Sequence, residues 1–339
     1  MGYNGPMTSR IVQIIPFCSA KGGVGKSTLA VTLAGLLARR GETVVVLDLD
    51  MTGTSLADGM ALEAPALPEV EPGSLDLTTP PSGRWLSREA TERGRRQRNN
   101  EIEFSRRKFI PFINDIFHIE GITSEPDDEP IRLDSLLWRA CPDDGVRYLL
   151  SSPVDMDVSV ALHQLYIEER DDWERQLTWL IYRLAEQLPN LSAVVLDLPP
   201  GLHGFSDRAL HAAATLALGL EERKDWPPAR EDLRWRIHPM LVTSQDKNDL
   251  RVALDWPLLY DEERLPNVLP VVNRVTVRRA EVREYVRGEF GPIDERLVFI
   301  DADPSALGRL FWDGQVDLRR VEDGGAFAEL LSHLKEDVG

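Results

Sequence analysis

The run Lys21-Gly22-Gly23-Val24-Gly25-Lys26-Ser27-Thr28 stands between an apolar stretch, Ile11 to Phe17, and a stretch with helical periodicity, Ser27 to Arg40. That order predicts a strand, a glycine bend and a helix meeting at one point. Glycines let the backbone curl until several N–H groups share a focus, and the helix beginning near Ser27 adds the positive end of its dipole. An anion is what such a focus accepts. Lys26 answers β- and γ-phosphates there, and the Ser27 hydroxyl suits a Mg²⁺ ligand. The segment predicts binding of a nucleoside triphosphate; a glycine turn without a ligand is the alternative.

The rest of the chain supports an α/β fold. Short β-branched runs recur at Ile11 to Phe17, Thr43 to Leu49, Arg147 to Leu150, Ala193 to Leu198, Met240 to Thr243, Leu269 to Asn273 and Leu297 to Ile300, with helix-patterned stretches between them. Such alternation predicts a mostly parallel sheet with helices on both faces. Leu29, Leu33, Leu36 and Leu37 form one stripe of the first helix, which ends in Arg39, Arg40 and Gly41. Trp173, Leu177, Leu180, Ile181 and Leu184 form another stripe, over Asp172 to Leu188, read as packing rather than as a ligand box.

Two segments break the pattern within what reads as a single domain over residues 1–339. Residues 57–145 read as an insertion, partly helical or irregular, and residues 221–236 as a smaller excursion forming a surface loop or an extra helix. Within the insertion, Arg84 to Lys108 holds nine Arg or Lys against four Glu. It is the basic island of a chain whose net charge is −17. The island is either a solvated helix answering acidic surface elsewhere, or a docking surface for nucleic acid or an acidic partner. Whole-molecule charge alone repels DNA and anionic membranes.

Two cysteines, Cys18 and Cys141, without a C-x-x-C pair argue against a disulfide framework and against a protein-encoded zinc or iron–sulfur site. No run of about 18 apolar residues is present, and the first residues lack a signal-peptide core, so a cytoplasmic setting is expected. The last helix, Ala326 to Val338, carries Glu329, Glu336 and Asp337, the wrong charge for a membrane anchor.

Two further elements carry chemistry. Asp48-Leu49-Asp50 closes the second strand, where alternation puts both carboxylates on one face at the carboxyl edge of the sheet. Val194-Val195-Leu196-Asp197-Leu198-Pro199-Pro200-Gly201 is an apolar strand ending in an aspartate and a stiff turn. Asp155 and Asp157 read as helix caps, and His203 and Asp207 as polar loop groups.

With Ala20 where the usual phosphate loop has its first glycine, and Lys21 directly after it, the chain resembles the ParA/MinD family of deviant Walker A P-loop ATPases. The resemblance implies that Lys21 reaches across a homodimer to the partner's nucleotide, with Gly22 to Thr28 as the cradle in each copy. It implies that Asp48 holds water of the Mg²⁺ shell and that Asp50 orients the attacking water. Asp197 then resembles the Walker B carboxylate on Mg²⁺-bound water, and Gly201 the N–H that senses the γ-phosphate. Pro270-Val271-Val272-Asn273-Arg274 resembles the base-binding segment. Arg274 and Thr276 stand where related GTPases have Lys and Asp, which favours adenine. Met51-Thr52-Gly53 replaces the Pro-Gln common in ParA proteins, so the geometry after Asp50 departs from the family.

The expected function is a slow ATPase switch with ATP and Mg²⁺ as cofactors, a homodimer in the ATP state and a protein partner that reads it. The alternative is a nucleotide-dependent dimeric module in a larger assembly, in which turnover is minor. A metallocluster carrier of the Mrp type shares the loop and the Gly53-Thr54-Ser55-Leu56 stretch, but paired cysteines are missing.

Overall fold

The computed structural model describes residues 9–51, 55–65, 84–86, 112–116, 133–151, 170–219, 226–259, 265, 268–301, 314, 316, 318–323, 325 and 327–336. Its strands are β1 (Arg10–Cys18), β2 (Thr43–Asp48), β3 (Leu62–Pro65), β4 (Arg84–Leu86), β5 (Trp138–Ala140), β6 (Val146–Leu149), β7 (Leu191–Asp197), β8 (Leu233–Ile237), β9 (Met240–Thr243), β10 (Leu269–Val275) and β11 (Val298–Asp301). Its α-helices are α1 (Lys26–Arg39), α2 (Ser55–Gly59), α3 (Ile113–Ile116), α4 (Arg170–Gln187), α5 (Phe205–Leu218), α6 (Lys247–Leu259), α7 (Arg279–Phe290), α8 (Leu318–Asp323) and α9 (Ala328–Glu336). Each of the β-branched runs lies on a strand.

One sheet runs in the order β11-β10-β9-β1-β7-β2-β6-β5-β3-β4, with β8 also paired to β1. Pairs from β11 to β6 are parallel, whereas β5 against β6, β3 against β5 and β4 against β3 are antiparallel. The strands in 57–145 thus extend the sheet. Its basic island lies outside the described residues apart from the backbone of β4, and Asp155 and Asp157 lie outside them entirely.

The excursion 221–236 needs a correction at its end. Residues 226–232 carry neither helix nor strand, as a loop would, but the excursion's last residues enter β8, whose residues Leu233 to Ile237 pair in parallel with Arg10 to Ile14. Arg234 and Arg236 mask a period-two pattern in which Leu233 and Ile237 are buried. The chain then steps through His238 and Pro239, and β9 takes up the second half of β1 at Phe17 and Cys18.

Alternation along the strands divides the core into two layers. Val12, Ile14, Val45, Leu47, Val194 and Leu196 share one layer with Leu177, Leu180 and Ile181 of α4 and Leu210 and Ala213 of α5. Ile15, Phe17, Val44, Val46, Ala193 and Val195 share the other with Leu29, Leu33 and Leu37 of α1 and Leu330, Leu331 and Leu334 of α9. Full burial of one such leucine contributes about 1.5–3 kcal/mol, which fixes α1 against the sheet face that also carries Asp48 and Asp197.

Candidate functional site

β1 runs into the glycine bend, and α1 starts from Gly25, whose φ of 87° is left-handed. No side chain caps this helix start and its first turn holds no acidic residue, so its N–H groups remain for an anion. A Cβ at Gly25 would also collide with Asn273 Nδ2, so glycine is required there twice over. Lys21, Gly22 and Gly23 are exposed, Ser27 and Gly25 half-buried, and Val24, Lys26 and Thr28 buried.

Asp48 and Asp197 face each other as registered partners on β2 and β7. Both are fully buried, on the layer that carries α1. Lys26 Nζ donates to Asp197 Oδ1 at 2.7 Å, and Asp197 Oδ2 has no hydrogen-bond partner among the described residues. Ser151 Oγ donates to Asp48 Oδ2 at 2.9 Å. Burial pushes the Asp48 carboxyl up to about 8, helped by the neighbouring Asp197 and Asp50 charges. Lys26 thus pairs with one of two adjacent buried carboxylates, and the uncommitted Asp197 oxygen suits a further cation or its bound water. The donor set fits Mg²⁺, a hard ion that prefers oxygen ligands and retains water.

Asp50 lies past the end of β2 but keeps the side that alternation gives it: Leu49 and Met51 are buried in the layer of Val45 and Leu47, and the Asp50 charge bears on Asp48. β2 ends at Asp48; Leu49 N–H still donates to Asp197 O at 2.9 Å, and the chain turns tightly after it, with Met51 N–H on Leu49 O at 2.8 Å. Asp50 is half-buried beyond the strand, with its N–H on Asp48 Oδ1 at 3.2 Å. A further carboxylate beside Asp48, that of Asp197, comes from β7.

Gly201 follows β7 with φ 99°, and its N–H donates to Ser19 O at 2.9 Å. Pro200 lies against Gly22, within 3.8 Å of where a Cβ would stand, so the turn after β7 abuts the loop. At the end of β10, Asn273 is buried and donates from Nδ2 to Val24 O at 2.8 Å, while Arg274 donates from Nη1 to Gly23 O at 3.1 Å. The sequence-derived residues Lys21 to Thr28, Asp48, Asp197, Gly201, Asn273 and Arg274 therefore meet at one carboxyl edge.

Three participants escape sequence reasoning. Asp249, at the start of α6, forms an ion pair with Lys21 and accepts from Ser244 Oγ at 2.7 Å. Gln245 receives the N–H groups of Thr276 and Val277 at 2.8 and 3.0 Å. Ser151 supports Asp48. Position just beyond β9 and β6, on the carboxyl edge, is the one signal that singles them out.

The two cysteines are unlike. Cys18 is buried beside Met240 O, and burial pushes its thiol up to about 12, whereas Cys141 is exposed. Among the described residues no group of three His, Cys, Asp or Glu is arranged to hold a metal, and no helix is long and apolar enough to cross a membrane.

The family model ParA, described as NUBPL iron-transfer P-loop NTPase, matches residues 10–80. The cytosolic Fe-S cluster assembly factor CFD1 of Chaetomium globosum is 37% identical over 70 residues, 21% of this chain and 23% of that protein. The chain thus spans about a quarter of the length of this curated relative. The cell division ATPase MinD of Pyrococcus furiosus superposes with a TM-score of 0.52 at 15% identity, covering 96% of this chain and 98% of that one. A proposed plasmid partition protein of Borrelia burgdorferi B31 bound to AMPPNP gives 0.51 at 15%, covering 97% and 100%. The family model thus reaches residues 10–80, while the two solved structures share the fold over nearly the whole chain.

Proposed function

We propose that the chain is an ATP-binding switch, slowly hydrolysing, that pairs with a second copy of itself in the ATP state and signals that state to a protein partner. The observation that carries this reading is the uncapped start of α1 beneath Lys26, with Asp48 and Asp197 on one rung beside it. The AMPPNP held by the Borrelia protein of the same fold supports ATP as the ligand. Arg274 and Thr276 behind Asn273 support adenine over guanine.

In this reading the N–H groups from Gly22 to Thr28 cradle the phosphates and Lys26 neutralises them. Ser27 would hold Mg²⁺ directly, and Asp48 and Asp197 its water shell; the ion supplies charge neutralisation at the transferring phosphoryl group. Asp50 orients the attacking water. Gly201 exchanges its bond to Ser19 O for one to the γ-phosphate. Lys21 leaves Asp249 for the nucleotide of the second copy, an exchange that costs little because a half-exposed surface pair contributes about 0–1 kcal/mol.

Light scattering with and without ATP and Mg²⁺ tests the switch. A roughly twofold rise in mass with ATP, lost in Lys21→Ala, is expected. Wild type that stays at one mass throughout would sink the dimer.

A second reading, work in iron–sulfur cluster assembly, is favoured by the match over residues 10–80 and the name of the Chaetomium relative. With the cluster as cargo, thiolates decide the matter. A cubane cluster is held by about four cysteines, whereas each copy of this chain offers one exposed thiol, Cys141. In such a pathway the chain acts as the nucleotide-driven partner of a carrier. A cytoplasmic setting accords with that relative's name. DNA binding through residues 84–108 stays a subordinate proposal, to be tested by the salt dependence of any affinity found.

A further inference from the structure

The end of β10 is irregular at one place. Its pairing with β11 shifts register between Val272 and Val275, so Asn273 and Arg274 form a bulge. Arg274 has φ 56°, the one positive value among the described non-glycine residues. A bulge with a left-handed residue re-aims side chains, and such local strain persists where surrounding contacts hold it. Here the holding contacts are visible. Asn273 Oδ1 accepts the Arg274 N–H at 2.9 Å, Asn273 Nδ2 donates to Val24 O at 2.8 Å, and Arg274 Nη1 donates to Gly23 O at 3.1 Å. Consecutive side chains of one bulge therefore grip consecutive carbonyls of the phosphate loop.

Both carbonyls belong to the stretch whose N–H groups face the proposed phosphates. A peptide's carbonyl and the next residue's N–H point in opposite directions, because the unit is planar and trans. Fixing Gly23 O and Val24 O toward β10 therefore turns the N–H groups of Val24 and Gly25 the other way. Gly23 and Gly25, at φ 77° and 87°, have no side chain to lock the loop themselves.

We propose that Asn273 and Arg274 are positioning residues, a two-point strut that holds the phosphate loop in its anion-receiving shape and thereby sets affinity for the polyphosphate rather than the choice of base. The inference rests on the nucleotide-binding function proposed above, and Arg274 is its test position. Glycine is the residue its backbone conformation favours, so Arg274→Gly removes the guanidinium without straining the bulge. Arg274→Lys retains a donor able to reach Gly23 O.

Hydrogen exchange on the protein without nucleotide is the first measurement. In Arg274→Gly the amides of Gly23 to Lys26 exchange roughly tenfold faster, and Arg274→Lys recovers most of the protection. Unchanged exchange overturns the strut whatever the chain binds. Calorimetric titration with Mg-ATP and Mg-GTP is the second. Arg274→Gly weakens both by a similar factor, roughly tenfold, and hydrolysis shows the loss in KM more than in kcat. A changed ATP-to-GTP ratio assigns the residue to base reading and overturns the proposal. Wild type that binds neither nucleotide defeats the proposed function instead, and the exchange result alone then judges the strut.

Discussion

Lys26 Nζ lies 2.7 Å from Asp197 Oδ1, a pair in which the lysine side chain is 7% exposed and the aspartate 0%. Two strands and a helix start have to be in place for it to form, so it ties the loop to the sheet. A buried pair of this kind resists the loss of either partner more than the loss of both. Lys26→Ala should destabilise by about 3–5 kcal/mol, because the buried Asp197 carboxylate loses the partner that compensates it. Chemical denaturation measures it, and the double variant Lys26→Ala/Asp197→Ala should regain part of the loss. A single variant as stable as wild type would show that the pair carries no weight.

Asp249 bears on Lys21 in the opposite sense. Removing the carboxylate frees the lysine that the proposed dimer needs, so Asp249→Ala should dimerise at lower ATP concentration than wild type, by a factor of about 2–5. Sedimentation across an ATP series reads this directly. A shift to higher ATP would mean that Asp249 serves the dimer rather than restrains it.

Asp50 separates turnover from binding. Asp50→Ala should abolish phosphate release while leaving ATP-dependent mass unchanged, since the residue stands beyond β2 and off the buried rung. Phosphate release and light scattering on one sample decide it. Loss of both together would assign Asp50 to binding.

The α4–α5 contact has a pH signature. His211 Nδ1 lies 3.6 Å from Glu174 Oε1, and Arg208 Nη1 donates to Glu174 Oε2 at 3.2 Å. The bond to Glu174 raises the His211 pKa, with Asp207 adding to the rise and burial and Arg208 opposing it. Burial pushes Glu174 up, but its bonds to His211 and Arg208 outweigh that and leave it lowered. The histidine contribution is complete below about pH 6.5 and is lost as pH rises through the raised value; that of Glu174 is complete above about pH 4.5 and is lost as pH falls through the lowered one. His211→Gln should therefore cost on the order of 0.5–1 kcal/mol near pH 5.5, after allowing for solvent screening of the half-buried ring, and much less near pH 8.5. Denaturation at the two pH values checks this; an equal cost at both would remove His211⁺ from the account.

The thiols offer a simple check on burial. Cys141 should react with a maleimide within minutes in the native protein and Cys18 only on unfolding, because burial holds its thiol neutral. Peptide mass mapping after brief labelling distinguishes them.

The loop, β1, β2 and β7 are legible in the sequence because each is a buried parallel strand written as an unbroken apolar run. β8 is not, because Arg234 and Arg236 interrupt it and a strand paired only to the first half of β1 needs no long run. β3 and β5 are short, at Leu62–Pro65 and Trp138–Ala140, below the length at which periodicity speaks. Within the site, residues in the loop itself were readable. Asp249 and Gln245 were not, since their roles come from chain ends that meet only in space.

Asp48 and Asp197 meet because Thr43 to Asp48 and Leu191 to Asp197 run side by side in one alignment. Sliding either strand by a single residue would send one acid to the opposite layer, among leucines. The acidic rung is thus specified by valines that touch no ligand. Conservative changes deep in β2 or β7 can erase it while every acidic residue stays in the sequence.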